Sequence, residues 1–176
     1  MSKQTRNVDF GTLSLQDALD LATLVEEEAE ERYRELNHQM TLHRTEETAA
    51  FFAFMAENER KHGQTLSARR KALFGDAPRA VHRGMLFDVE APDYDEARAF
   101  MSPREALHVA LRSEEKAFAF FEAALPNLRN AEVKALFTEL AAEEVHHADL
   151  VKRELGKLSD AGALPGDAFV DDPIQQ

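Results

Sequence analysis

The second half of the chain repeats the first, and this repeat limits the fold more than any other feature. Residues 14–33 align with residues 102–121, with identities at Ser14, Ala18, Leu19, Ala22, Glu26, Glu27 and Ala29. Residues 45–62 align with residues 130–147, which places Glu59 on Glu144 and His62 on His147. Two copies of one unit most simply pack around a pseudo-two-fold axis. We therefore expect two similar hairpins that pack together in a single domain over residues 1–176.

Four segments have the spacing of apolar side chains that is typical of amphipathic helices. The predicted helices span about 14–43, 45–74, 102–126 and 130–155. Their ends carry helix signals, because Ser14, Thr45, Ser102 and Asn130 are candidate N-caps and Gly75 is a candidate C-terminal glycine. The remaining chain predicts a long crossover over residues 75–101 and an irregular tail over residues 156–176.

The crossover decides how the two hairpins are connected. Its extended length is sufficient to run along a whole helix, so the third helix can lie parallel to the second. The predicted fold class is therefore all-α, as an up-down-down-up four-helix bundle with one long crossover.

The composition excludes several classes of function. The 33 acidic and 21 basic residues give a formal net charge of -12, which opposes binding to nucleic acid and to anionic membrane surfaces. Cysteine is absent, so thiolate catalysis and cysteine-based metal sites are excluded. The sequence has no apolar stretch typical of a signal peptide or a membrane span, and we therefore expect a cytoplasmic protein.

One face of each predicted helix, which we call its seam, is apolar except at six positions. The first and third helices each contribute one glutamate, and the second and fourth each contribute a Glu-x-x-His pair. These six residues are Glu26, Glu59, His62, Glu114, Glu144 and His147. Three further Glu-x-x-His pairs fall off the seams, and we interpret them as solvated: Glu35/His38, Glu105/His108 and Glu143/His146.

The four seam glutamates indicate a metal site. Ionised carboxylates inside a bundle cost on the order of several kcal/mol each if nothing neutralises them, and no Lys or Arg interrupts the seams beside them. Two divalent cations would balance the four charges, and two histidines would add neutral nitrogen ligands. Such a site would keep coordination positions open for a reactant. The alternative is a purely structural helical scaffold in which the four glutamates meet by coincidence.

These motifs resemble those of the ferritin-like di-iron carboxylate superfamily, and within it the rubrerythrin group. The similarity rests on Glu26-x-x-Ala29-x-x-x-Tyr33, on FMAENERKH at 54–62 and on LFTELAAEEVHH at 136–147, and it covers residues 14 to about 155. The resemblance implies two iron ions per chain, with Mn or Zn able to replace them in vitro. The ligands that it implies are Glu26 and Glu114 as terminal, Glu59 and Glu144 as bridging, and His62 and His147 on one iron each.

Two positions depart from the typical rubrerythrin pattern. Rubrerythrins carry a rubredoxin-like domain with four cysteines, which this sequence lacks, so we expect a separate electron-donor protein. Typical rubrerythrins have an additional glutamate at the position of Ala117 in this sequence. Its replacement by alanine implies a more symmetric site than in those proteins. The resemblance also suggests a redox or hydrogen-bonding role near the irons for Tyr33, and a buried core tyrosine is the alternative.

The resemblance predicts an oxidoreductase whose diferrous centre is oxidised by peroxide or dioxygen, in oxidative-stress defence or in iron oxidation. The alternative is a non-catalytic iron-binding or iron-delivery module built from the same six ligands. Several phenylalanines, including Phe51 and Phe54, cannot all face the centre of one bundle, and we therefore expect a homodimer.

Overall fold

The computed structural model describes residues 9–85 and 101–160. Within these ranges the chain forms four α-helices, two short 3-10 turns and no β-strand, which confirms the all-α prediction. The helices are α1 (Leu15–Leu42), α2 (Glu46–Phe74), α3 (Pro103–Ala124) and α4 (Ala131–Asp160), and the turns are Arg83–Met85 and Leu125–Asn127. No helix in the described part is long and apolar enough to cross a membrane.

The helix ends follow the predicted capping residues with one exception. Ser14, Ser102 and Asn130 each accept a hydrogen bond from a backbone N–H in the first turn of the helix that follows. Thr45 precedes α2, but its hydroxyl donates to a carbonyl at the end of α1 instead of capping α2. Gly75 ends α2 with a φ of 62°, in the left-handed region that glycine adopts without strain.

Helix α4 is longer than predicted. We expected irregular chain from residue 156, but the helix continues through Gly156 to Asp160. A glycine inside a helix costs about 1 kcal/mol relative to alanine. Leu155 and Leu158, on either side of this glycine, are partly buried against the core, and this burial offsets that cost. The prediction was therefore wrong for residues 156–160, whereas residues 161–176 and most of the crossover, 86–100, lie outside the described residues.

Two apolar clusters, one toward each end of the bundle, fix the directions of the helices. The first joins the beginnings of α1 and α4 to the ends of α2 and α3, and includes Leu19, Leu66, Phe121 and Phe137. The second joins the ends of α1 and α4 to the beginnings of α2 and α3, and includes Met40, Phe52, Leu107 and Val151. Helices α1 and α4 therefore run in one direction and α2 and α3 in the other, which confirms the up-down-down-up bundle.

A buried ion pair fastens the end of α2 to α1. The Nε of Arg70 donates to Oδ1 of Asp20 at 2.9 Å, and the two residues are 8% and 1% exposed. The same guanidinium donates to the carbonyl oxygens of Gly75 and Ala77. The first residues of the crossover are thereby held against the bundle.

Candidate metal centre

A layer of polar side chains, which we call the polar layer, lies between the two apolar clusters at the middle of the bundle. Each of the four helices contributes to it. Five of its members are at most 3% exposed: Glu26, Glu59, Glu114, Glu144 and His147. The sixth, His62, has 31% of its side chain exposed. The structure therefore brings together the six residues predicted from the seams, with His62 at the edge of the layer.

Small residues make room for the polar layer between the helices. Ala22 and Ala110 are fully buried one turn before the glutamates of α1 and α3, and Ala117 is fully buried after the glutamate of α3. In α2, a Cβ added to Gly63 would lie 3.4 Å from the Cβ of Glu26. Helix α2 thus approaches α1 closely beside His62, and this approach brings side chains of the two helices to one site.

His147 faces three carboxylates. Its Nδ1 lies 3.1 Å from Oε1 of Glu59, 3.5 Å from Oε2 of Glu114 and 4.0 Å from Oε2 of Glu144. The Nδ1 of His147 and the Oε2 of Glu114 are buried, and neither makes a hydrogen bond in this arrangement. Buried polar atoms in proteins are nearly always paired. A cation between these atoms would accept the lone pairs that the protein leaves unused.

His62 faces the other side of the same layer. Its Nδ1 lies 4.0 Å from Oε2 of Glu26 and 4.0 Å from Oε2 of Glu59. This nitrogen is buried and has no hydrogen-bond partner, although part of the ring reaches the surface. The carboxylate of Glu59 therefore has one oxygen toward His62 and the other toward His147, as a group that binds two metal ions would need.

Glu143 is a residue of this site that the sequence analysis missed. We interpreted it as solvated because it falls off the seam of α4, but it is half-buried. Ligand atoms of Glu143, Glu26 and His62 lie within 4.8 Å of one another. The repeat gave no signal for this position, because it aligns Glu143 with the uncharged Asn58. The other two off-seam pairs, Glu35/His38 and Glu105/His108, are exposed as predicted. His146 is exposed as well.

The pKa values show what it costs to gather these groups without a cation. Burial raises the pKa of Glu26 to about 7. Burial also lowers the pKa of His62, because a charged ring is costly there. Burial acts against the charge on His147 too, but the adjacent carboxylate of Glu114 outweighs it and raises the pKa of His147. The carboxylates around His147 therefore favour its charged form.

Tyr33 lies beside the polar layer and orients one of its glutamates. Its hydroxyl donates a hydrogen bond to Oε1 of Glu114, and the residue is 2% exposed. The ring packs on Phe52, with centroids 6.0 Å apart. The other oxygen of Glu114 is thereby left facing His147. The contact fits both a hydrogen-bonding role beside the site and a buried core tyrosine, and a redox role for Tyr33 stays a prediction.

The donor atoms suit a transition metal. Carboxylate oxygens and imidazole nitrogens bind divalent iron, manganese and zinc, and no thiolate is present to favour softer metals. Three groups of side chains each bring ligand atoms within 4.8 Å of one another: Glu59/His62/His147, Glu26/His62/Glu143 and Glu114/Glu144/His147. Residues of the polar layer could therefore hold metal ions on both the His62 side and the His147 side.

Comparisons with known proteins identify the family of this chain. The sequence matches the rubrerythrin family model over residues 17–89 and 105–165. The crystal structure of an uncharacterized conserved protein from Magnetospirillum magnetotacticum MS-1 is similar, with a TM-score of 0.69 and 31% sequence identity over 82% of this chain and 95% of that chain. No curated protein gives a significant sequence match. Because the family match spans most of the chain and includes every residue of the polar layer, this protein belongs to the rubrerythrin family, whose members typically bind di-iron centres.

Proposed function

We propose that the chain holds two iron ions in the polar layer and acts as an oxidoreductase that consumes peroxide or dioxygen. The observation that supports this most is the meeting of buried carboxylate oxygens and imidazole nitrogens from all four helices in one layer. When bound, the iron would supply the redox chemistry, giving electrons to the oxidant and regaining them from a separate donor protein.

The side chains divide between two sites. Glu114, Glu144 and His147 would hold one ion, and Glu26 and His62 the other. Glu59 would be shared, since its two oxygens face the two histidines. We also assign Glu144 a bridging role, by its equivalence to Glu59 in the repeat.

Charge balance supports two divalent ions rather than one. Four carboxylates of the polar layer are at most 3% exposed, and ion pairs this deeply buried are stable only when their charges are matched. Two divalent cations match four carboxylates, whereas a single one leaves two charges to be neutralised by protons. The raised pKa of Glu26 favours its protonated form where no cation is present.

The surroundings favour a reaction with small oxidants. The apolar clusters cover the layer toward both ends of the bundle and keep bulk water out. The partly exposed ring of His62 marks the side where a small molecule can approach. Tyr33 holds Glu114 in place, and its hydroxyl proton lies on the hydrogen bond to that carboxylate.

An iron-delivery module is the second candidate. The exposure of His62 favours it, because a carrier needs one site from which an ion can leave. The two functions differ in turnover. An oxidoreductase consumes peroxide or dioxygen repeatedly when a reductant is supplied, whereas a carrier reacts once at most.

The test is anaerobic loading of the metal-free protein with Fe(II), elemental analysis, and then exposure to peroxide or dioxygen with a chemical reductant. We expect about two iron ions per chain and repeated consumption of oxidant. Glu144→Gln should lose iron, whereas His146→Ala, at the exposed position next to His147, should keep it. A stoichiometry of one that Glu114→Ala does not change would contradict the dinuclear site, and a single turnover would favour the carrier.

Self-association is a further part of the proposal. Phe54 is 51% exposed on α2, and exposed aromatic side chains of this size often mark contacts between chains. We propose a homodimer that covers this surface. Sedimentation of the wild type and of Phe54→Ser tests it, with a shift toward monomer expected for the variant.

A further inference from the structure

We infer that Glu143 is a seventh metal-binding side chain, which gives the ion on the His62 side a carboxylate that has no counterpart on the His147 side. The inference rests on the proposed function, because it requires metal ions in the polar layer. It concerns which residues of this chain bind them and how strongly each ion is held.

The first observation is the position of Glu143. A carboxylate oxygen of this residue lies within 4.8 Å of ligand atoms of both Glu26 and His62. Glu26 is 2% exposed, and the Nδ1 of His62 is buried without a hydrogen-bond partner. Glu143 is half-buried beside these groups, so its carboxylate lies near the partly exposed ring of His62.

The second observation is that the two sides of the centre have unequal donors. On the His147 side, three carboxylates face the imidazole nitrogen, and the nearest oxygen is 3.1 Å away. On the His62 side, Glu26 and Glu59 face the imidazole nitrogen, each at 4.0 Å. With Glu143, three carboxylates lie near the imidazole nitrogen of His62, as three lie near that of His147.

The third observation comes from the repeat. The aligned residue of Glu143 in the first hairpin is Asn58, a neutral side chain. The carboxylate is therefore present in only one copy of the repeat, and its ligand atom is grouped with those of Glu26 and His62.

A surface glutamate that acts only through its charge is the competing explanation. Two substitutions separate it from a ligand. Glu143→Gln keeps the length of the side chain and removes its charge, whereas Glu143→Asp keeps the charge and shortens the reach. Glu139→Gln is the matched control, because Glu139 lies one turn earlier on α4, is exposed, and loses the same charge.

The experiment is a titration of the metal-free chain with Mn(II), which avoids redox chemistry. Calorimetry and the EPR signal of free Mn(II) measure the binding. We expect the wild type to bind two ions, one more weakly than the other. In both Glu143 variants the dissociation constant of the weaker-bound ion should rise by about tenfold or more. The dissociation constant of the stronger-bound ion, and both dissociation constants of Glu139→Gln, should change by less than about threefold. Circular dichroism melts of each metal-free variant confirm that it is folded.

The inference is overturned if Glu143→Gln binds Mn(II) as Glu139→Gln does. It is also overturned if Glu143→Asp binds both ions as the wild type does, because charge alone would then suffice. If either of these results occurs but the wild type binds two ions, the inference about Glu143 fails and the proposed function stands. A wild type that binds neither Mn(II) nor Fe(II) overturns both the inference and the proposed function.

Discussion

The imidazole rings of His62 and His147 stack face to face, with centroids 5.3 Å apart and planes 9° apart. The two residues occupy equivalent positions in the repeat. They differ in exposure, however, since 31% of the His62 side chain reaches solvent and only 3% of the His147 side chain does. Two stacked rings repel each other when both are protonated, so the charge on His147 lowers the pKa of His62 further than burial alone does.

The unequal burial of the two histidines predicts unequal effects on the metal-free protein. His147→Ala removes a ring that offsets three buried carboxylates and should lower the free energy of unfolding by about 2 kcal/mol. His62→Ala removes a partly exposed ring and should cost less than about 1 kcal/mol. Urea unfolding in the presence of a chelator measures both. Equal losses would mean that the burial of His147 does not govern its contribution.

Tyr33→Phe should destabilise the metal-free protein by about 1–3 kcal/mol, because it leaves a buried oxygen of Glu114 without its donor. The variant keeps the ring that packs on Phe52, so the loss reports on the hydroxyl alone. A double-mutant cycle with Glu114→Gln, measured by urea unfolding, gives the coupling energy of the pair. A coupling energy near zero would show that the hydrogen bond contributes nothing to stability.

The metal-free protein should lose stability as the pH rises from about 4.5 to about 7. Over this interval Glu26 keeps its proton in the folded state and releases it in the unfolded state, because burial raises its pKa from 4.5 to about 7. Unfolding therefore releases a proton and is favoured by higher pH, at a cost on the order of 3 kcal/mol for this group. The raised pKa of His147 also makes the folded protein less stable as the pH rises above 6.5. The lowered pKa of His62 has the opposite effect, because it makes the folded protein more stable as the pH rises toward 6.5.

Thermal melts of the metal-free protein across this pH range check the sign. Glu26→Gln should flatten the decline, because glutamine does not titrate. Addition of Mn(II) at pH 7 should raise the melting temperature of the wild type, since a ligand that binds only the folded state stabilises it. A melting temperature that rises from pH 5 to pH 7 without metal would contradict the assignment to Glu26.

Arg70→Met should be among the most destabilising single substitutions outside the polar layer. It leaves the carboxylate of Asp20 buried without its main partner, which costs about 3–5 kcal/mol in comparable cases. Arg79, 3.6 Å from Oδ1 of Asp20, remains as a partial partner, so we expect the lower end of that range. Arg69→Met is the control, because Arg69 is exposed and its loss should change the free energy of unfolding by less than about 0.5 kcal/mol.

The sequence predicted which residues would meet in the polar layer because the periodicity of a helix and an internal repeat together determine which faces pack. Glu59 and Glu144 occupy core positions in their seams, and their burial follows directly from that pattern. Glu35 and Glu105 belong to the same motif but lie on outer faces, and they are exposed. For these residues local spacing was sufficient.

The sequence did not predict the difference between His62 and His147, because exposure depends on how the helices close around the layer. The repeat treats the two histidines as equivalent, and only the packed bundle leaves one of them at the edge. Glu143 was missed for the same reason, since a residue on the flank of a seam is buried or exposed according to its neighbour on another helix. The sequence analysis did not identify Arg70 either, because its partner Asp20 is distant in sequence.

The hydrogen bond between Tyr33 and Glu114 gives the protein an optical reporter. The sequence contains no tryptophan and only two tyrosines, so tyrosine fluorescence comes from Tyr33 and Tyr94 alone. In a Tyr94→Phe background the remaining fluorophore donates its hydroxyl proton toward a glutamate of the polar layer. Its emission should respond directly when a paramagnetic ion occupies that glutamate, so loading of the bundle can be followed in solution without a dye, a label or a coloured metal complex.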